Sequence, residues 1–342
     1  MAQQSTTTSA VSSATLDIPL IDFSAFLDGN RADRLSTSKA ILDGFRRAGF
    51  IYLRNHGIVD VEKTFKHSAT FFAKPKAEKD ALAWLRTGQI RGYNAQGEEK
   101  LNNVTDPSQV IDAREYGGED IKETLEIGRE GVPGEPNKWP AGDDDFKECM
   151  VGFFSQCRGL HVELMRAIAI GFGIAENWFD DFVDAGDNVL RLLHYPEVNS
   201  NVFRSNGMQV RAGAHCDYGS ITLLFQDDRG GLQVLSPNGE YVHATPIKDT
   251  IVVNSGDLLA RWSNDMIKST KHRVVEPPRR SGDDVDMIHP DRYSIAYFCV
   301  PNLDKYVDVI PGTLNASSQR KYEGVICGDY MAQKFTATFG VH

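Results

Sequence analysis

The sequence lacks a long hydrophobic run, a paired-cysteine spacing and an excess of positive charge. Its most apolar helical stretch, Leu164 to Ala175, is broken by Arg166 and is too short to cross a bilayer, so no membrane span is expected. The five cysteines, Cys149, Cys157, Cys216, Cys299 and Cys327, are odd in number and show no CxxC spacing. That argues against both a disulfide framework and a zinc knuckle and suits a reducing cytoplasm. With 37 Lys and Arg against 47 Asp and Glu, the net charge is −10. A nucleic-acid or anionic-membrane partner needs a basic patch, so a small-molecule substrate fits better. Met1 to Ala14 is rich in Ser and Thr, with neither an apolar run nor an Arg. It does not read as a signal or transit peptide, and residues 1–16 are expected to be a disordered tail.

What is present is an ordinary globular composition, 41% hydrophobic and 25% charged, over 342 residues. One large core with helical decoration is expected over residues 17–342. Its helical N-terminal part, 17–186, begins with a short strand, Ile18 to Phe23. An amphipathic helix follows over Ala32 to Ala48, stopped by Gly49, then a strand over Phe50 to Leu53 closed by Asn55-His56-Gly57. Val61 to Phe72 reads as a helix ending before Pro75. Gln96 to Asp145 is polar and rich in Gly, Pro, Asp and Glu, the character of long, lid-like connections. Phe146 to Ile174 then carries a buried-stripe pattern for nearly thirty residues, predicting a spine helix.

Over residues 187–310 short runs of Val, Ile, Leu, Tyr and Phe alternate with turn signals such as Asp228-Arg-Gly-Gly231 and Pro237-Asn-Gly239. This is the pattern of an antiparallel sandwich or barrel. In the final part, 311–342, a helical pattern returns over about Ser318 to Thr336.

Within the strand-rich half stands Ala214-His215-Cys216-Asp217, and His272 follows 57 residues after His215. In an extended chain His215 and Asp217 share a face while Cys216 points away. Two imidazoles and one carboxylate on one face of an octahedron leave three positions open, as oxygen activation by non-haem iron(II) requires. A hydrogen-bonded loop pair is the plainer reading of HxD alone. Downstream, Arg292, Ser294, Ala296 and Phe298 share one strand face by alternation, as do Arg191, Leu193 and Tyr195 on an earlier strand. Arg292 and Ser294 offer a guanidinium fork and a hydroxyl to one ligand carboxylate, with Tyr195 as a third polar contact near the metal-bound end of the same ligand.

Together these residues resemble the isopenicillin N synthase-like group of iron(II)/2-oxoglutarate dioxygenases, with the likeness running from about Ile18 to Tyr330. Supporting pieces are Pro19-Leu-Ile-Asp22, Arg91-Gly-Tyr93, Leu193-His-Tyr-Pro196, Asp217-Tyr-Gly-Ser220, Gly230-Gly-Leu-Gln233 and Asn254-Ser-Gly-Asp257. The resemblance implies a double-stranded β-helix (jelly-roll) core with flanking helices. It also implies Fe(II) as cofactor, held at His215, Asp217 and His272. 2-Oxoglutarate and dioxygen are the implied co-substrates, with the distal carboxylate of 2-oxoglutarate at Arg292 and Ser294, and Tyr195 matches a position that often helps bind co-substrate or substrate. His56 is expected to be structural.

More narrowly, Asn188 to Phe298 looks like the fungal thymine-7-hydroxylase type, in which the matching Arg191, Tyr218 and Phe298 are pocket residues. Aromatic faces suit a flat heterocycle and Arg its carbonyl oxygens. Cys216 departs from the pattern, since Thr is common there. Relatives of this sort also act on fungal secondary metabolites by hydroxylation, desaturation or cyclisation. Three other readings stand beside this one: an iron oxidase of the same group that does not use 2-oxoglutarate, a noncatalytic jelly-roll binding module, and a zinc hydrolase.

Overall fold

Side chains that alternate along an extended chain leave by opposite faces of a sheet, and in the computed structural model this rule divides the apolar residues into two cores. The structure describes residues 7–85, 90–98, 120–205, 209–279, 284, 286–314 and 319–339. The first part of the chain supplies β1 (Thr7–Ser12), β2 (Asp17–Asp22), β3 (Phe50–Arg54), β4 (Gly92–Asn94) and β5 (Glu123–Gly128). After the spine helix come β6 (Val189–Tyr195), β7 (Val198–Asn199), β8 (Ala212–His215), β9 (Ile221–Gln226) and β10 (Leu232–Leu235). They are followed by β11 (Tyr241–His243), β12 (Thr250–Ser255), β13 (His272–Val274), β14 (Ile288–His289) and β15 (Arg292–Cys299).

Nine of these strands form a major sheet in the order β1-β2-β3-β12-β9-β15-β6-β5-β4, and four form a minor sheet, β11-β10-β13-β8. On one face of the major sheet Ile295, Tyr297, Leu190, Leu192, Leu223, Phe225 and Val253 meet the helices. On the other, Leu193, Tyr195, Val252, Tyr52 and Ala296 meet Ala212, Leu232, Val234 and Val274 of the minor sheet. The second core is thus the interior of a double-stranded β-helix, and the helices lie outside it.

The spine helix spans Asp144–Phe172. Asp143 caps it by accepting from the Phe146 N–H at 3.2 Å, two further acids occupy the first turn, and Gly173 stops it at φ 75°. Phe146, Met150, Phe153, Leu160, Leu164 and Ile168 form its buried stripe. Among the described residues no helix is long and apolar enough to cross a membrane.

Four sequence expectations change. The supposed tail is not disordered throughout, because Thr7–Ser12 pairs antiparallel with β2 and Val11 enters the interior core. The N-terminal part, 17–186, is not merely helical, since its four strands, β2 to β5, join both ends of the major sheet. The polar stretch from Gln96 holds a fully buried strand, β5, although residues 99–119 lie outside those described. At the C-terminus the helix occupies Cys327–Phe339, later than expected. It follows β17 (Val325–Ile326), which pairs with β16 (Tyr306–Val307).

Candidate metal and co-substrate site

Antiparallel register places His215 of β8 directly opposite His272 of β13, with ring centroids 4.4 Å apart. Strand β8 ends at His215, so Asp217 comes from the irregular segment that follows, not from the strand itself. The Asp217 backbone carbonyl is held there by the Asp257 N–H at 2.7 Å. His215 Nε2 and His272 Nε2 each lie 3.8 Å from Asp217 Oδ1. One ligand atom from each of the three residues lies within 4.8 Å of the others.

The surroundings fix which atoms are offered. His215 Nδ1 is 2.8 Å from the Gly213 carbonyl and His272 Nδ1 is 3.2 Å from that of Thr270. A carbonyl only accepts, so in the neutral rings Nδ1 carries the proton and the Nε2 lone pairs face the shared point. Asp217 is oriented in the same way: its Oδ2 accepts from Thr222 Oγ1 and Asn254 Nδ2, each at 2.6 Å, leaving Oδ1 toward the imidazoles. Burial, with His272 beside it, pushes His215 down to about 4. Burial would raise the Asp217 carboxyl, but His272, His215 and the hydrogen bonds from Thr222 and Asn254 outweigh it and hold it below its ordinary value. A neutral His215 ring, a second imidazole and an ionised carboxylate, the last only 7% exposed, form a donor set that fits iron(II).

Strand register also brings together the residues expected to hold a carboxylate. Tyr195 pairs with Arg292 and Leu193 with Ser294 across β6 and β15, while Gln226 of β9 lies opposite Ser294. Arg292 is 1% exposed; its Nε donates to the Gly230 carbonyl at 2.8 Å and its Cζ lies 4.7 Å from the Tyr195 ring centroid. Its terminal nitrogens reach Ser294 Oγ and Gln226 Oε1 only at 3.4 Å. Such long contacts leave donors for a carboxylate.

Two of the three predicted pocket residues also come together. Arg191 Cζ sits 5.2 Å from the Phe298 ring centroid, and its Nε is 2.7 Å from Glu126 Oε1. Glu126 also accepts from Thr124 Oγ1 at 2.9 Å and Asn94 Nδ2 at 2.7 Å. Tyr218 is placed differently, with its ring 6.2 Å from Phe335 and 5.4 Å from Lys334 Nζ of the C-terminal helix. His56 is buried on the helix-facing side, its ring edge-on to Phe225, in keeping with a structural part. A groove of about 850 Å³ lies elsewhere; Cys216, Asp257, Lys271 and Tyr330 line it, but none of the predicted site residues does.

Sequence reasoning missed Thr222, Asn254, Thr124 and Glu126. The signal for the last two is polar residues at every second position from Lys122 to Glu126, the period of a strand with one polar face.

The chain belongs to the 2OG-Fe(II) oxygenase superfamily, whose model matches residues 186–301; the N-terminal model of non-haem dioxygenases in morphine synthesis matches residues 18–142. It is accordingly a 2-oxoglutarate-dependent dioxygenase that uses iron(II), 2-oxoglutarate and dioxygen. It is 57% identical to Neurospora crassa thymine-7-hydroxylase (T7H), crystallised with alpha-KG and thymine. That match covers 96% of this chain and 99% of that one, with a TM-score of 0.87. A 2-oxoglutarate-Fe(II) type oxidoreductase of Metarhizium rileyi is 33% identical over 94% of this chain and 91% of its own. A proline hydroxylase of Petromyces alliaceus is 31% identical over 95% and 100%.

Proposed function

We propose that this dioxygenase oxidises the methyl group of a pyrimidine base, with thymine the first substrate to test. The observation that carries the reading is the 57% identity, over almost the whole chain, to an enzyme crystallised with thymine. The Arg191–Phe298 pair supports it, because a cationic donor beside an aromatic face suits a flat ring bearing carbonyl oxygens. Tyr218, whose ring meets Phe335 and Lys334 of the C-terminal helix, is kept as a third proposed pocket residue on the strength of the resemblance alone.

In this reading His215, Asp217 and His272 hold iron(II), and Arg292 and Ser294 hold the distal carboxylate of 2-oxoglutarate, with the Tyr195 ring against Arg292 rather than at the metal-bound end of the co-substrate. With dioxygen, the bound metal and 2-oxoglutarate supply the oxidation: 2-oxoglutarate goes to succinate and carbon dioxide, and one oxygen atom enters the substrate. The chain's own work is positional. The Gly213 and Thr270 carbonyls fix the tautomers of the imidazoles, Thr222 and Asn254 orient the carboxylate, and Glu126 holds Arg191 against the pocket. The apolar interior around Leu193, Val234 and Val252 keeps water from the reaction. Five unpaired cysteines support a reducing, cytoplasmic setting.

The test is product formation by anaerobically reconstituted enzyme given oxygen, 2-oxoglutarate and a panel of thymine, uracil derivatives and unrelated fungal metabolites. Succinate in one-to-one yield with 5-hydroxymethyluracil is expected. Tight coupling to one of the unrelated metabolites instead would replace the pyrimidine reading while keeping the dioxygenase. The Metarhizium and Petromyces relatives make a secondary-metabolite substrate the second reading.

A further inference from the structure

We propose that Arg211 is a second arginine for the distal carboxylate of 2-oxoglutarate, acting beside Arg292 and Tyr195. This rests on the assignment of Arg292 to that carboxylate and is independent of the primary substrate.

Arg211 immediately precedes β8 and is fully buried, at 0% exposure. Its backbone N–H is used by the Val274 carbonyl at 2.9 Å, which pins the residue to the minor sheet. The side chain is far less engaged. Nη2 reaches the Pro290 carbonyl only at 3.4 Å, and Nε and Nη1 have no hydrogen-bond partner among the described residues. The Tyr195 ring carries both arginines, with Arg292 Cζ 4.7 Å and Arg211 Cζ 6.0 Å from its centroid.

Two guanidinium groups buried around one phenol ring are costly unless an anion balances them. The acids whose charges act on Arg211, Asp227 and Asp291, stabilise it only at a distance, since neither is hydrogen-bonded to it. Asp227 accepts from the Tyr293 and Arg229 N–H groups, and Asp291 from the Glu197 N–H while facing His194. Burial and the neighbouring Arg292 push the Arg211 guanidinium down to about 10, which leaves it protonated at neutral pH. A desolvated cation with free donors, next to a second arginine already assigned to a carboxylate, is what a dicarboxylic co-substrate would neutralise. A 2-oxo acid without the distal carboxylate would gain nothing from it. Arg211 is therefore a determinant of dicarboxylate selectivity.

The experiment is calorimetric titration of full-length, iron(II)-loaded protein under anaerobic conditions, where no turnover occurs, with 2-oxoglutarate and with 2-oxobutanoate. Arg211→Met is expected to weaken 2-oxoglutarate binding about ten- to hundredfold, the worth of charge-assisted hydrogen bonds, and to leave 2-oxobutanoate within about twofold. Arg211→Lys, which keeps the charge but loses the fork, should fall between wild type and Arg211→Met, and it carries the test if Arg211→Met does not fold. Unchanged 2-oxoglutarate affinity in a folded variant would overturn the proposal. So would equal weakening of both acids alongside a lowered Tm, the mark of a purely structural arginine. Arg292→Met serves as the control: if it leaves 2-oxoglutarate binding intact, the carboxylate site itself is misplaced, a failure distinct from that of Arg211 alone.

Discussion

Replacing Thr222 by Val would test whether iron(II) binding at the proposed site depends on the orientation of Asp217. Thr222 and Asn254 each donate to Asp217 Oδ2 at 2.6 Å, and the carboxylate is buried. Val keeps the β-branched shape that β9 requires and puts a methyl where the hydroxyl was, so the strand is retained while one of two donors is lost. A hydrogen bond to a charged group is worth about 1.5–3 kcal/mol. With Asn254 alone, the carboxylate is freer to turn, and the position facing the imidazoles is shared between its two oxygens. Loss of such an outer partner lowers metal affinity about 10–100-fold in general, in line with that energy. The assay is anaerobic titration of metal-free protein with iron(II), read as a dissociation constant, alongside the Tm of the metal-free form. An affinity within about threefold of wild type for both Thr222→Val and Asn254→Ala would refute the reasoning, since the two donors would then be decorative.

Further tests follow from the same geometry. Asp217→Ala is expected to abolish turnover with little change in the far-ultraviolet circular dichroism spectrum; full activity would remove Asp217 from the ligand set. Arg292→Ala should raise the 2-oxoglutarate concentration for half-maximal rate at least tenfold, seen in steady-state kinetics. Glu126→Gln loosens Arg191 and should raise KM for the pyrimidine substrate more than it lowers kcat, whereas an unchanged KM would exclude Arg191 from substrate recognition. In the metal-free protein, burial holds His215 down to about 4 and His161 to about 3. Both sit below the unfolded value near 6.5. The unfolded chain therefore binds more protons over that interval, and stability present above pH 6.5 is lost as the pH falls toward 4. Urea midpoints that do not decrease between pH 7 and pH 5 would contradict this.

What the sequence made legible is what strand periodicity controls. His215, Arg292, Ser294, Tyr195, Arg191 and Phe298 all belong to strands whose two-residue repeat assigns each side chain a face, and strand register then brings those faces together. The spine helix was legible for the same reason, because a long amphipathic repeat has one buried side. Periodicity says nothing about partners supplied by other strands. Thr222 and Asn254 lie 5 and 37 residues from Asp217 and meet it only because β9 pairs with β12 in one sheet. The Ser/Thr composition of the leader concealed β1 and the acidic composition concealed β5, since polarity normally marks a loop. In β5 the polar groups are buried because they satisfy one another: Glu126 with Arg191, Thr124 and Asn94, and Glu123 with Lys79 and His194. A polar strand of this kind is stable only where another element brings complementary groups. The same logic singles out Arg211, whose buried Nε and Nη1 lack such complements among the described residues.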